Sequence, residues 1–88
     1  MKKTPKIYKL KVKIGKKRNG KVFNFNSDDP VADLLSIELE KLTEPATITL
    51  EKDKLKATRI LQAYKARRIF NNKLDAFYII RDMHWILK

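Results

Sequence analysis

The chain contains no cysteine, two glycines, three prolines and one histidine, His84. Without cysteine it has no disulfide, no thiolate metal site and no thiol nucleophile, which fits a reducing compartment such as the cytoplasm. Both glycines fall between positions 15 and 20, so no glycine-rich loop is available to cradle a nucleotide phosphate. A lone histidine with no second imidazole leaves zinc sites and the usual nucleophile and base pairs without material, and His84 reads as a surface or packing residue. The carboxylates Asp28, Asp29, Asp33 and those of Glu51 through Lys54 are the nearest candidates for a metal nuclease, but Asp53 stands where such a motif would carry lysine after Glu51. No catalytic residue, no metal and no cofactor is expected. The longest apolar run, Ala76–Ile80, is five residues, far below the roughly 20 of a membrane span. Lys9, Lys11 and Lys13 interrupt what would be the apolar core of a secretory leader.

What the chain has is positive charge, unevenly placed. Lysine and arginine number 21 against 10 acids, a net charge of +11 over 88 residues. Positions 1–21 hold ten bases and no acid, 22–51 hold seven acids and one base, and 52–88 hold ten bases and three acids. Such segregation predicts a surface with one strongly positive region and a smaller negative one. The 43% apolar content is ordinary for a folded protein, so one small domain is expected over residues 1–88, with 1–6 frayed.

Hydrophobic period places the elements. Tyr8, Leu10, Val12 and Ile14 alternate with Lys9, Lys11 and Lys13, the period of two of a strand with one apolar and one charged face. Gly15 to Gly20 reads as a reversal in which Asn19-Gly20 is best suited to positive φ. The return strand runs over about 21–26, with Phe23 and Phe25 on one face and Asn24 and Asn26 on the other. Ser27, Asp28 and Asp29 ahead of Pro30 predict a capped helix start, with Val31, Leu34, Leu35, Leu39 and Leu42 as its inner stripe. Residues 46–51 alternate as a third strand. From Asp53 the arc of Ala57, Ile60, Leu61 and Tyr64 predicts a helix reaching Phe70, then a break at Asn71-Asn72 and a last helix over 73–88. That helix has an inner arc of Ala76, Ile79, Ile80, Met83, Ile86 and Leu87, and an opposite arc of Leu74, Tyr78 and Trp85. The expected fold class is α+β, in the order β-β-α-β-α-α: a basic hairpin and a third strand packed on one capped helix and two C-terminal helices.

The basic hairpin is the informative constellation. Lys9, Lys11 and Lys13 recur about 6.6 to 7 Å apart along one strand face, close to the spacing of phosphates on a nucleic-acid strand, and Lys16, Lys17, Arg18 and Lys21 extend the charge into the loop. Lysine meets phosphate as a point charge, whereas base readout favours bidentate arginine, so affinity without much sequence specificity is expected. Arg59, Arg67 and Arg68 form a second basic set. The expected function is non-enzymatic nucleic-acid binding through phosphates, DNA ahead of RNA. The alternative is a small adaptor or inhibitor docking on an acidic surface of another protein, with Tyr78 and Trp85 as the partner interface or the contact of a homodimer. The same lysines would also serve simply to keep an outer sheet face soluble.

Overall fold

A computed structural model describes residues 8–15, 20–38 and 42–87 of the chain. The lysine-alternating segment forms β1, Tyr8–Ile14, and pairs on both edges: with β2, Lys21–Ser27, and with β3, Ala46–Lys52. A fourth strand, β4, Leu55–Leu61, completes an antiparallel sheet in the order β2-β1-β3-β4. Three helices follow the chain: α1, Pro30–Leu35; α2, Ala63–Phe70; and α3, Lys73–Leu87. The fold is α+β, as its period pattern predicts. No helix among the described residues is long and apolar enough to cross a membrane.

One face of the sheet and the helices share a single core. Leu10 and Val12 of β1, Ile48 and Leu50 of β3, and Ala57 and Leu61 of β4 all point to it and are fully or almost fully buried. α1 covers β1 and β2, while α3 lies over β3 and β4 and packs against both other helices. Phe70, at the end of α2, and Met83, on α3, are among the largest side chains removed from water.

Residues 55–61 are a strand, not the first turns of the expected helix. Two residues four apart lie on one face of a strand and of a helix alike, so Ala57 and Leu61 satisfy both periods. Ile60 separates them: a helix would bury it beside Leu61, whereas β4 turns it outward, 67% exposed. Asp53, at φ 58°, takes the left-handed conformation that aspartate tolerates and turns the chain straight back onto β3. The helical pattern then starts afresh at Ala63. From the new start Ala66, Ile69 and Phe70 are buried together.

Other ends differ in detail. α1 begins at Pro30 as predicted but stops after Leu35; Leu42 is buried from the connecting segment, and Leu39 lies outside the described residues. Asp29 makes no side-chain cap bond; its own N–H donates to Ser27 Oγ at 2.9 Å. The break at Asn71-Asn72 is present, yet Asn71 is right-handed at φ −97°. Asn72 acts instead as a cap, its Oδ1 accepting from the N–H groups of Leu74 at 2.9 Å and Asp75 at 3.2 Å. On α3 the predicted inner arc is buried except for Ile86, 59% exposed near the helix end.

The strand assignment makes a direct prediction. Leu61→Ala should lower unfolding free energy by about 2–4 kcal/mol, while Ile60→Thr should change it by less than about 0.5 kcal/mol. Urea unfolding of both variants decides it; equal losses would restore the helix.

Candidate nucleic-acid interface

All three helices lie on the core side of the sheet, so among the described residues its other face is uncovered. Register fixes what stands there. Lys9 lies between Asn26 and Glu51, Lys11 between Asn24 and Thr49, and Lys13 between Val22 and Thr47. β4 adds Lys56 beside Glu51, Thr58 beside Thr49 and Ile60 beside Thr47. The Thr49 and Thr58 hydroxyls approach within 3.4 Å across that face.

The result is a sheet about 14 Å wide at ~4.8 Å per strand spacing, with a lysine row along one inner strand and short polar side chains on both sides. Lys9 and Lys11 are exposed and Lys13 is half-buried. Among the described residues none of the three is held in an ion pair; that of Arg68 with Asp75, at 3.7 Å, is elsewhere. Of the acids in the described parts of 22–51, only Glu51 is carried onto this face by a strand. Among the described residues no acid of this segment is ion-paired with the lysine row.

The row ends at the hairpin connection. Ile14 pairs with Lys21, so residues 15–20 form the connection; of its described residues Gly15 takes positive φ, 102°, and Gly20 does not, while Asn19 lies outside them. The Gly15 N–H donates to the Pro45 carbonyl at 2.7 Å. Gly20 is needed for a different reason: a Cβ on it would stand 2.5 Å from the Ile14 carbonyl oxygen and 3.3 Å from Lys13 Cε. The end of the Lys13 stem thus lies against Gly20.

The other expected contacts are not all on this face. Lys16, Lys17 and Arg18 lie outside the described residues. Lys21 pairs opposite Ile14 on the core-side face, its ammonium 5.7 Å from the centroid of the Phe23 ring. Arg59 pairs opposite the buried Ile48 and is therefore on the helix side, where it lines a cleft of about 270 Å³ with Lys65, Arg68, Asp75, Tyr78 and Asp82. Arg67 is exposed on α2. The sheet thus separates the two basic sets, lysine row on one side and arginines on the other. Sequence periodicity found the row; it missed the contribution of Lys56, Thr58 and Ile60, because the strand that carries them read as helix. Thr47 and Thr49 are legible in the alternation of β3.

Tyr78 and Trp85 are on the solvent side of α3, 44% and 65% exposed. His84 is a packing residue: its Nε2 shares a hydrogen bond with the Tyr8 hydroxyl at 2.9 Å, ring edge to ring face. Among the described residues no group of three His, Asp or Glu side chains is placed to hold a metal ion.

No protein-family model matches the chain, and no curated protein or solved structure matches it. The outer sheet face must be read from its own chemistry. It combines four ammonium groups and one carboxylate with amide and hydroxyl donors, a set suited to an extended polyanion, and it carries no aromatic ring.

Gly20→Ala should cost about 1–3 kcal/mol, as forced overpacking against backbone does, and should displace the Lys13 stem. Thermal unfolding together with the chemical shifts of Lys13 would register both; an unchanged midpoint would mean that the connection relaxes freely.

Proposed function

We propose that this chain is a non-enzymatic nucleic-acid-binding protein that lays its open sheet face along the phosphate backbone, with DNA as the preferred polymer. The observation that carries the reading is the row of Lys9, Lys11 and Lys13, unpaired among the described residues, on a face that no described helix covers. Lys56 widens the row. Lys16, Lys17 and Arg18, at the end of the same hairpin in sequence, extend the charge. Asn24, Asn26, Thr47, Thr49 and Thr58 supply neutral partners for phosphate oxygens.

Lysine without arginine on this face gives attraction without base readout. Affinity in the non-specific range, about 1 to 100 μM at physiological salt, follows. The cytoplasm is the compartment we infer, on the cysteine-free composition. Docking on an acidic protein surface would draw on the same net charge, and the salt titration separates the two by polymer: only a phosphate polyanion carries condensed counterions to release.

Neutralisation of about six phosphates predicts a slope near −5 for log affinity against log salt with duplex DNA. Replacing Lys9, Lys11 and Lys13 together by glutamine should make that slope shallower by about 2 to 3; a flat salt response of the parent chain ends the proposal. Fluorescence anisotropy of a labelled duplex at several salt concentrations measures both.

Single-strand binders stack bases on aromatic side chains, about 1–3 kcal/mol per base, and the outer face has none. Duplex DNA should therefore bind at least as tightly as a single strand of equal phosphate number. A preference of more than about tenfold for the single strand would move recognition off the sheet.

A further inference from the structure

The molecule has a second exposed surface, on the opposite side from the lysine row. The α3 face turned away from the core presents Leu74, 58% exposed, Tyr78, Arg81 and Trp85, with Phe77, 49% exposed, beside them. Positions 74, 78, 81 and 85 follow the 4-3-4 spacing of a seam that meets another helix. At 100° per residue they fall within about 60° of arc. The stripe borders a mainly apolar groove between α1 and α3 of about 240 Å³, lined by Val31, Phe77 and Ile80 with Asp29 at its α1 side and Arg81 at its α3 side, and adjoining a hollow at Leu74.

Arg81 sits at the middle of this stripe. Its guanidinium carbon is 5.0 Å from the Tyr78 ring centroid and 6.0 Å from that of Phe77, so two rings beneath fix it in place. Among the described residues it belongs to no ion pair. Tryptophan, tyrosine and arginine are the side chains in which binding energy concentrates at protein interfaces. A covering element that buries Arg81 must bring an acceptor to it, because an unpaired buried charge is costly.

A second copy is a poor cover. Antiparallel self-pairing about the centre of the stripe would oppose Leu74 to Trp85 and Tyr78 to Arg81, but it would also bring Asp75 toward Asp82 on the flank. It would further join two chains that each carry +11. An acidic partner is drawn by that same charge.

We infer that the Leu74–Tyr78–Arg81–Trp85 face of α3 is a docking surface for an acidic amphipathic helix of a partner protein, whose apolar ridge fills the α1–α3 groove and whose carboxylate meets Arg81. It goes beyond the nucleic-acid reading, and the two surfaces can be occupied together.

The test uses the whole chain and two labelled helical peptides of about 18 residues, one with a leucine stripe flanked by glutamates and one with lysines in place of the glutamates. The glutamate peptide binds and the lysine peptide does not. Arg81→Gln and the double variant Phe77→Ala/Trp85→Ala each weaken binding about tenfold or more, as loss of an interface anchor does. All three side chains are exposed, so melting temperatures should stay near the parent value. Replacing Lys9, Lys11 and Lys13 by glutamine leaves peptide affinity within about twofold. Equal weakening by the lysine-row variant would show that the peptide merely seeks net charge, and would overturn the proposal. So would failure of the glutamate peptide to bind, or self-association in sedimentation velocity that disappears in Phe77→Ala/Trp85→Ala, since the occupant would then be a second copy.

Discussion

Burial of Leu10 and Val12 is the constraint on which the remainder rests. Both are at 0% exposure in the strand that pairs on its two edges, and strict alternation then puts Lys9, Lys11 and Lys13 on the other face. A slip of one residue would exchange the two sets and drive ammonium groups into the core. The lysine row needs no dedicated device to hold it outward; the core does so. Two neighbouring lysines about 7 Å apart repel by roughly 0.6 kcal/mol at the dielectric of water, before salt screening. Burying each apolar partner contributes about 1.5–3 kcal/mol. The fold can therefore carry a line of like charges without an ion pair to each of them among the described residues.

That margin also explains why the acids sit where they do. Asp29 and Asp33 gather at the start of α1, on the core side of the sheet, where a helix N-terminus favours negative charge. Glu44 lies against Gly15, at the end of the sheet, with its Oε1 2.9 Å from where a Cβ would stand. Among the acids on the described strands, Glu51 shares a face with the lysines, between Lys9 and Lys56 and ion-paired to neither. Among the described residues the sheet is thus a partition between the lysine row and the acids at α1. That partition divides the basic residues as well: Arg59 points to the helix side because Ile48, opposite it, points to the core.

How much of this was legible follows from which periods were unambiguous. A seven-residue alternation of apolar and lysine has only one geometry that buries its apolar half, so β1 and the face of its lysines could be read directly. The same holds for the inner arc of α3. Residues 57–64 offered i, i+3, i+4 and i+7 matches that both a strand followed by a helix and one continuous helix could supply. The decision came from pairing with β3, which no local pattern contains. Lys21 escaped for a related reason: it is contiguous with the loop bases in sequence, but the register of the hairpin places it opposite Ile14. Of the described hairpin contacts, Lys9, Lys11 and Lys13, fixed by alternation, stand on one face, whereas Lys21, chosen by proximity along the chain, stands on the other. The outer arc of α3 was visible as a second apolar stripe, but its central feature, a guanidinium laid over two rings, needs the helix before Arg81 can be seen beside Phe77 and Tyr78.

Placing charge and aromatic surface on opposite sides of so small a body has a consequence for how the two could work together. A polyanion against the outer face would neutralise the lysines without touching α3, since the sheet and its core lie between them. Any acidic helix at α3 would then meet less long-range attraction, because part of the +11 would already be screened, but the short-range contacts with Arg81 and the rings would be unchanged. Coupling between the two surfaces is therefore expected to be weakly negative, to fade as ionic strength shortens the screening length to about 8 Å, and to need no conformational change. A partner that must stay bound on the polymer would depend on the apolar stripe for its residence time, and on net charge only for its arrival.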